Sequence, residues 1–479
     1  MSIELPKLKK VSKDKVKKPK ILLLSDDLRL HSGIATQSKE IVLSTVHKYD
    51  WVQLGAALKH PEHGKQFILD DDVRKLTGLE DASVKIYAHT SYGNPEVLRE
   101  LLNVEKPDAI LHFTDPRFWG WLYDMENEVR QICPIMYYNI WDSLPDPHWN
   151  APFYASCDLL LGISKQTYGI NKRVMDWYNQ DREDWSFKYI PHGVTNLFKP
   201  LGDTDSNLIA YKDKHNINQY DFVLGWCNRN IRRKVPGDVI IGVEEFAKKH
   251  PNKKILLMMH TNPIDENGTD MPELVKMNVT HCDVRFSVDK LSTEELNLFY
   301  NACDVVLNVA SNEGFGLGSC EALRAGTPII VNVTGGLQDQ CGFKWNVAPS
   351  NMNEQWEYLT EDDYVEFGSL HDKDNPIVDK LTWGDWVEPI WPSNRSLQGS
   401  PVTPYIFDDR CSYKDIGLAI DRWYSKGRDE CTSAGMKGHE FIMGAGNMAA
   451  ETMGEKFIEA IEGCFTNWKP RQRFDIYKI

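Results

Sequence analysis

Short, continuous apolar runs alternate with helix-length segments along this chain, and the alternation starts twice. The first series begins at Lys20–Ser25, and the second begins at Phe222–Cys227, after the Pro- and Gly-bearing stretch Pro191–Gly202. Apolar runs of this kind are typical of parallel strands buried on both faces. The pattern predicts an α/β protein with two doubly wound domains that face a cleft.

The chain has 479 residues, more than one ordinary hydrophobic core organises. We expect an N-terminal Rossmann-like domain over 20–200 and a C-terminal one over 201–479. Residues 341–410, rich in Trp, Asp, Asn and Pro, break the rhythm, and we predict an irregular insertion there. It is either a small subdomain core or an acceptor-binding platform. The C-terminal helices are candidates for packing back onto the N-terminal domain.

The net charge of −14 hides an uneven distribution, because residues 1–20 contribute about +6. We expect residues 1–19 to be a solvated, disordered leader; the alternative is docking on nucleic acid, anionic membrane or an acidic partner. No apolar run is long enough for a membrane span, and no apolar segment follows the N-terminal lysines, so we expect a cytoplasmic protein. The ten cysteines show no metal-binding spacing, and we predict buried thiols and no metal site.

The most informative stretch is Ser311–Pro328, where a strand ends, glycines permit a tight turn and a helix begins. Free N–H groups at such a helix start can hold an anionic or hydroxyl-rich ligand. Glu313 and Glu321 lie on either side of the turn. Glu313 is placed to accept hydrogen bonds from sugar hydroxyls and Glu321 from a ribose, whereas the alternative for the pair is plain charge at a helix start.

This stretch resembles the glycogen-synthase-like retaining family, glycosyltransferase family four, whose motif runs E-G-F-G-x-x-x-x-E-A-x-x-x-G-x-P. The resemblance implies a GT-B fold. It implies that Glu313 contacts the donor sugar and Glu321 the ribose of a nucleotide-sugar. It assigns the sugar and phosphates to the loop amides of Gly314, Phe315, Gly316 and Leu317.

A second family feature is an Arg followed five residues later by a Lys, after the first strand of the C-terminal domain. Arg229 and Lys234 have this spacing, and the resemblance implies that they neutralise the leaving diphosphate. Asn228 replaces the glycine usual before that Arg. The neighbouring Arg232 and Arg233 are either a solvated basic turn or residues that steer the acceptor.

Weaker resemblances agree in order along the chain. Gly33 in Ser32–Ala35 is similar to the family's N-terminal glycine loop, where the backbone approaches the diphosphate from the opposite domain. The segment Ile190–Pro200 resembles the interdomain stretch, which predicts a hinge near residue 200. Gly335 and Gly336 resemble a loop whose amides lie close to the donor sugar; a simple turn is the alternative.

One position departs from the family. A His that contacts the donor sugar is common after an N-domain strand, but Trp141-Asp142 occupies the corresponding place here. Asp142 is a candidate for part of that role. Asp115 and His112, at the end of the preceding strand, compete as cleft residues on the acceptor or donor-sugar side, and each of the three has a structural alternative.

The sequence therefore predicts a retaining glycosyltransferase that moves a hexosyl or pentosyl group from a UDP-, GDP- or ADP-sugar to an unidentified acceptor. Same-face attack without a metal or other cofactor is the expected mechanism, with Arg229, Lys234 and Glu313 as the catalytic set. One alternative acceptor is a hydroxymethylated base in nucleic acid, motivated by the basic leader, Arg232, Arg233 and Lys469–Arg473. Another alternative is a non-catalytic binding protein on a transferase fold.

Overall fold

The computed structural model describes residues 17–179, 182–348, 353–371, 375 and 377–471. The predicted leader over 1–19 therefore lies almost wholly outside the described residues. Two large sheets organise the described chain, and their strands lie in the two regions in which the apolar alternation starts.

The first sheet has eight strands in the order β3-β4-β2-β1-β5-β6-β7-β8. All neighbours are parallel except β3 and β4. The strands are β1 Lys20–Asp26, β2 Asp50–Ala57, β3 Gln66–Ile68, β4 Val84–Thr90, β5 Ala109–Phe113, β6 Ile135–Asn139, β7 Leu159–Gly162 and β8 Phe187–Tyr189. The helices of this half are α1 Gly33–Thr45, α2 Asp70–Thr77, α3 Pro95–Glu105, α4 Gly120–Asp124, α5 Glu126–Val129, α6 Ala151–Ala155 and α7 Lys165–Trp177.

Strand β1 shows why this sheet is covered on both faces. Ile21 and Leu23 pack into one apolar cluster, and Leu22 and Leu24 pack into another, with all four side chains fully buried. Side chains alternate across a strand, so two cores require two apolar sets in one run. This is the physical origin of the continuous apolar pattern.

The second sheet is wholly parallel, with six strands in the order β11-β10-β9-β12-β13-β17. Its strands are β9 Phe222–Cys227, β10 Ile255–His260, β11 Asp283–Ser287, β12 Val305–Asn308, β13 Ile329–Asn332 and, after three strands of a smaller sheet, β17 Val387–Ile390. The helices up to the end of β17 are α8 Ser206–Lys214, α9 Pro236–Lys249, α10 Met271–Asn278, α11 Thr293–Asn301, α12 Leu317–Arg324, α13 Leu337–Gln340 and α14 Asp363–Glu366.

Residues 341–410 are not all an insertion. Strand β17 pairs with β13 along the edge of the second sheet, so the prediction that the whole stretch departs from the α/β pattern is wrong. The added parts are a small sheet and a hairpin. The small sheet contains β14 Lys344–Asn346, β15 Trp356–Tyr358 and β16 Leu381–Thr382, and the hairpin contains β18 Asn394–Ser400 and β19 Thr403–Arg410.

Three helices end the described chain: α15 Tyr413–Lys426, α16 Arg428–Met443 and α17 Ala450–Asn467. Helix α17 packs on α1 of the first half. A Cβ added to Gly454 would lie 2.6 Å from the Cβ of Ser44, so glycine permits the close approach of the two helices. The backbones also meet where Val194 bridges to Ala449, which ties the chain end to the segment between the two sheets.

Candidate active site

Both large sheets have a topological switch point, where the strand order reverses. In the first sheet it lies between β1 and β5, and in the second it lies between β9 and β12. Ligands of open α/β sheets bind outside the carboxyl ends of strands at such points. The segment Arg229–Lys234 follows β9, the Glu313 loop follows β12, and Gly33 follows β1. The fold therefore brings three predicted loops to the two switch points.

Lys234 and Glu313 form a buried ion pair at the second switch point. Their side chains are 8% and 10% exposed, and Lys234 Nζ donates to Glu313 Oε2. Arg233 Nη1 lies 2.7 Å from the same oxygen and 2.7 Å from the Asn312 carbonyl oxygen. One carboxylate is therefore held by two cations.

The two cations determine the charge state of Glu313. Burial alone would raise the pKa of its carboxyl, but Lys234 and Arg233 lower the pKa below its ordinary value. Burial lowers the pKa of Lys234, and the Glu313 carboxylate opposes that effect. The arrangement favours an ionised Glu313.

Arg229 lies apart from this ion pair. Its guanidinium is 66% exposed, and its Nε lies 2.9 Å from Asp265 Oδ2. The structure thus brings Lys234, but not Arg229, to Glu313. Arg233 was missed as a site residue because its sequence context suits a solvated turn equally well. A 3-10 turn over Arg232–Lys234 directs Arg233 toward Glu313, and the only sequence signal was its position beside Lys234.

The two glycine loops of the second half pack directly on each other. The Gly336 N–H donates to the Glu313 carbonyl oxygen at 2.8 Å. A Cβ on Gly335 would lie 2.0 Å from that same oxygen, and one on Gly336 would lie 2.2 Å from the Gly314 carbonyl oxygen. Only glycine fits at either position. Gly316, with φ of 90°, takes the left-handed conformation that ends the turn and precedes α12.

The Glu313 loop also meets the first half of the chain. A Cβ on Gly314 would lie 3.0 Å from the Ile140 carbonyl oxygen, just after β6, and the Phe315 ring centroid lies 5.1 Å from that of His192. A Cβ on Gly33 would lie 3.5 Å from Leu317 Cδ1. The glycine loop that follows β1 of the first sheet therefore faces the start of α12, which follows β12 of the second sheet.

Glu321 lies one turn into α12, where Tyr300 donates to its Oε2 at 2.8 Å. Burial raises the pKa of Glu321 to about 7, and the Tyr300 hydroxyl limits the increase. A Cβ on Gly318 would lie 2.9 Å from the carbonyl oxygen of Cys227, the last residue of β9. Glycine at 318 thus lets α12 start close to the carboxyl end of β9 and brings Glu321 near the switch point.

The three competing N-terminal candidates are separated by the structure. Asp142 is close enough to Arg233 to help raise its pKa, after Glu313 and against the effect of burial. His112 is fully buried, its Nδ1 is 2.6 Å from the Tyr123 hydroxyl, and its ring stacks on Tyr137. Burial lowers the pKa of His112 to about 3. His112 is thus part of the aromatic core, and the structure does not bring it to the cleft.

Asp115 pairs with Arg117 through both carboxylate oxygens. Arg117 in turn binds Thr403 of the β18–β19 hairpin. Asp115 therefore lies at the surface between the first half and the hairpin. It is not in contact with the Lys234–Glu313 pair.

Within the described residues, no three His, Cys, Asp or Glu side chains come together in a way that could hold a metal ion. None of the helices that the structure describes combines the length and apolar character needed to cross a bilayer.

Part of this site matches the model of a known family. Residues 283–350, which include the Glu313 and Gly335 loops, match the family model for glycosyl transferases group 1. The chain is 30% identical to alpha-monoglucosyldiacylglycerol synthase of Acholeplasma laidlawii over 33% of this chain and 39% of that protein. It is 31% identical to D-inositol 3-phosphate glycosyltransferase of Corynebacterium jeikeium over 24% and 28% of the two chains. The match to each therefore spans less than two fifths of that relative's length.

The fold of nearly the whole chain is similar to that of solved structures. Sucrose-phosphate synthase of Thermosynechococcus elongatus aligns with a TM-score of 0.62 and 13% identity over 94% of this chain and 100% of that one. The Anabaena protein HepE in complex with UDP-glucose aligns with a TM-score of 0.58 and 12% identity over 92% and 99%. This chain has the GT-B fold. The predicted α/β class and the resemblance to GT-B glycosyltransferases are confirmed, while family four and a retaining mechanism stay predictions.

Proposed function

We propose that this GT-B protein transfers a sugar from a nucleoside diphosphate-sugar to an acceptor hydroxyl, with retention of configuration and without a metal ion. The buried Lys234–Glu313 pair carries the proposal. It lies at a switch point beside two glycine loops, where a ligand with phosphates and hydroxyls would meet a cation and a carboxylate together. The match of residues 283–350 to glycosyl transferases supports the same reaction class.

Lys234 is proposed to stabilise the leaving diphosphate. When the bond between the anomeric carbon and the phosphate oxygen breaks, negative charge develops on that oxygen. A fixed ammonium in a site shielded from water stabilises this charge more strongly than in solvent. The Arg229 side chain is exposed, and its one carboxylate partner among the described residues is Asp265. Its guanidinium can turn toward a diphosphate by exchanging that carboxylate for another anion.

Glu313 is proposed to orient the donor sugar and not to attack it. The Glu313 oxygen that binds Lys234 and Arg233 has its lone pairs engaged by cations, and the carboxylate pKa is lowered. Both effects weaken a nucleophile. This supports same-face displacement, in which the leaving phosphate oxygen takes the proton of the acceptor hydroxyl as the acceptor oxygen bonds to the anomeric carbon.

The proposed donor is a nucleotide-sugar whose ribose hydroxyls bind Glu321. HepE binds UDP and UDP-glucose, which makes UDP-sugars the first donors to test. A thermal-shift panel of UDP-, GDP- and ADP-sugars on the full chain, followed by mass spectrometry of products, tests the proposal. We expect one nucleotide class to raise the melting temperature and its sugar to be transferred or hydrolysed. Release of nucleoside diphosphate from none of these donors would refute the proposed function.

A further inference from the structure

One residue of the β18–β19 hairpin, Phe407, forms hydrogen bonds to both sides of the cleft. Its N–H donates to the Leu144 carbonyl oxygen at 2.6 Å, and its carbonyl oxygen accepts from Asn312 Nδ2 at 2.8 Å. Leu144 lies two residues after Asp142, and Asn312 directly precedes Glu313. The hairpin therefore runs beside the residues that we assign to the donor sugar.

The base of the hairpin is fixed on the donor loops by Asp409. Its N–H donates to the Ser311 carbonyl oxygen at 3.2 Å, and its Oδ2 accepts from Thr334 Oγ1 at 3.1 Å. Asn332 Nδ2 donates to the Asp409 carbonyl oxygen at 2.8 Å. Ser311 and Thr334 precede the two glycine loops. These bonds hold the hairpin in a defined position at the edge of the site.

The outer part of the hairpin reaches the first half of the chain. The Tyr405 ring lies edge-on to Trp149, with ring centroids 4.7 Å apart, and Thr403 binds Arg117. Trp149 follows the loop after β6, and Arg117 follows β5. The hairpin thus closes one side of the space between the N-terminal loops and the donor loops, where an acceptor hydroxyl has to approach the donor sugar.

The residues on and opposite the outer part of the hairpin include aromatic rings and arginines that are paired with aspartates. Tyr405 is 40% exposed beside Trp149. The arginines on and opposite the hairpin are each matched to an aspartate, in the pairs Arg117–Asp115, Arg395–Asp409 and Arg410–Asp408. A surface that tracks a phosphate backbone needs a basic excess, which these pairs do not provide. Ring faces combined with fixed polar side chains suit a neutral, hydroxyl-rich ligand.

We propose that the β18–β19 hairpin forms a wall of the acceptor site and that Tyr405 selects a neutral saccharide acceptor by packing against its ring. The inference rests on the proposed glycosyl transfer and assigns the acceptor class that this reaction leaves open. Tyr405 acts on acceptor binding alone, since the contacts of the hairpin with the donor loops are made by Phe407 and Asp409.

The test compares Tyr405→Ala, Tyr405→Phe and Leu76→Ala in the full chain. Leu76 is an exposed apolar residue of helix α2, outside the hairpin and 68% exposed, and serves as the control. Transfer is measured with D-glucose, D-mannose, maltose and cellobiose as acceptor probes. Vesicles containing diacylglycerol and a duplex containing 5-hydroxymethylcytosine represent the competing acceptor classes. Nucleotide affinity and donor hydrolysis in the absence of acceptor are measured in parallel.

We expect transfer to at least one saccharide, with an acceptor KM about tenfold higher in Tyr405→Ala and restored by Tyr405→Phe. In Leu76→Ala the acceptor KM should stay within about twofold of the parent protein. In every variant, nucleotide affinity and donor hydrolysis should also stay within about twofold. Transfer only to the vesicles or the duplex, transfer to none of the probes, or an unchanged saccharide KM in Tyr405→Ala would overturn the inference. Absence of both nucleotide binding and donor hydrolysis in the parent protein would instead refute the proposed function.

Discussion

Lys234 and Arg233 bind the same oxygen, Oε2, of Glu313. Two cations that share one carboxylate leave positive charge available next to the glycine loops, where a diphosphate would neutralise it. The pair therefore has two roles. Lys234 and Arg233 stabilise a buried carboxylate in the protein alone, and in the proposed reaction Lys234 also supplies a cation to the leaving group.

The two roles can be separated by mutation. Lys234→Met should lower donor turnover by about 10²- to 10³-fold, the usual cost of removing one donor to a developing oxyanion. It should also destabilise the protein by about 1–3 kcal/mol, because Arg233 alone then compensates the buried Glu313 carboxylate. Steady-state kinetics and urea unfolding measure the two effects.

The double variant Lys234→Met/Glu313→Gln is the control for this prediction. Removing the carboxylate as well should restore much of the lost stability, since no buried anion is left without its lysine. Turnover should stay low. Recovery of turnover together with stability would show that Lys234 acts only on the fold.

The pH dependence of stability should depend on Glu321, whose pKa burial raises to about 7 from an ordinary value of 4.5. Between these values the folded protein keeps this proton and the unfolded chain loses it, so this carboxyl makes unfolding easier as the pH rises from about 4.5 to about 7. Glu321→Gln removes that contribution. The variant should gain stability relative to the parent protein from pH 5 to pH 8, measured by urea unfolding at each pH.

Differences between variants are needed here because burial also raises the pKa of Glu40 to about 7 and that of Asp339 to about 6. Asp339 cancels when the variant is compared with its parent. The Glu321 charge is one of the causes that raise the pKa of Glu40, so the difference also contains the relief of that repulsion. Glu459→Gln, at an exposed position of α17, should show no such pH-dependent gain. An equal gain in both variants would contradict a specific effect of the buried Glu321.

Close packing of the glycine loops gives a steric prediction. Gly336→Ala would place a Cβ 2.2 Å from the Gly314 carbonyl oxygen, and backbone must shift to admit it. We expect lower thermal stability and nucleotide affinity weakened at least tenfold. The matched control is Gly463→Ala within helix α17, where an added Cβ meets no atom within 4 Å. That change should leave nucleotide affinity unaltered and stabilise by about 0.4–1 kcal/mol. Unaltered affinity in Gly336→Ala would refute the role of the loop.

Local patterns in the sequence were sufficient to predict the α/β class and the positions of the glycine loops. Buried parallel strands need continuous apolar runs, and Glu313 and Lys234 lie five and seven residues after the ends of two such runs, at Asn308 and Cys227. Strand β17 was not predictable in this way, because the three strands of the small sheet, β14–β16, separate it along the sequence from its partner β13. Pairing at an edge is a tertiary event that a short run such as Val387–Ile390 does not specify alone.

The local sequence of helix α16 does not indicate a helix, for a different reason. Gly435 and Gly438 lower helix propensity, yet a Cβ on Gly435 would lie 1.9 Å from the Gly326 carbonyl oxygen, and one on Gly438 would lie 2.6 Å from Leu323 Cδ2. The glycines are required by packing against α12 and its end. Tertiary packing overrides helix propensity here. Tertiary contacts also separate Arg229, which pairs with Asp265, from Arg233, which pairs with Glu313, although the two residues are close in sequence.

Asp142 and Asp115 were equal candidates in the sequence, and the structure gives them different expected effects. Asp142 lies in the field of both Arg233 and Arg117, whereas Asp115 is bound directly by Arg117 under the hairpin. Asp142→Asn should therefore reduce donor hydrolysis measured without acceptor, because it removes an anion that balances the cations around Glu313. Asp115→Asn should leave donor hydrolysis unchanged and raise the acceptor KM, because it loosens Arg117 and its contact with Thr403.

Both variants keep the side-chain shape, so their unfolding free energies should agree with that of the parent protein within about 1 kcal/mol. The reverse pattern, with donor hydrolysis sensitive to Asp115 and not to Asp142, would contradict the placement of the donor sugar beside Asp142.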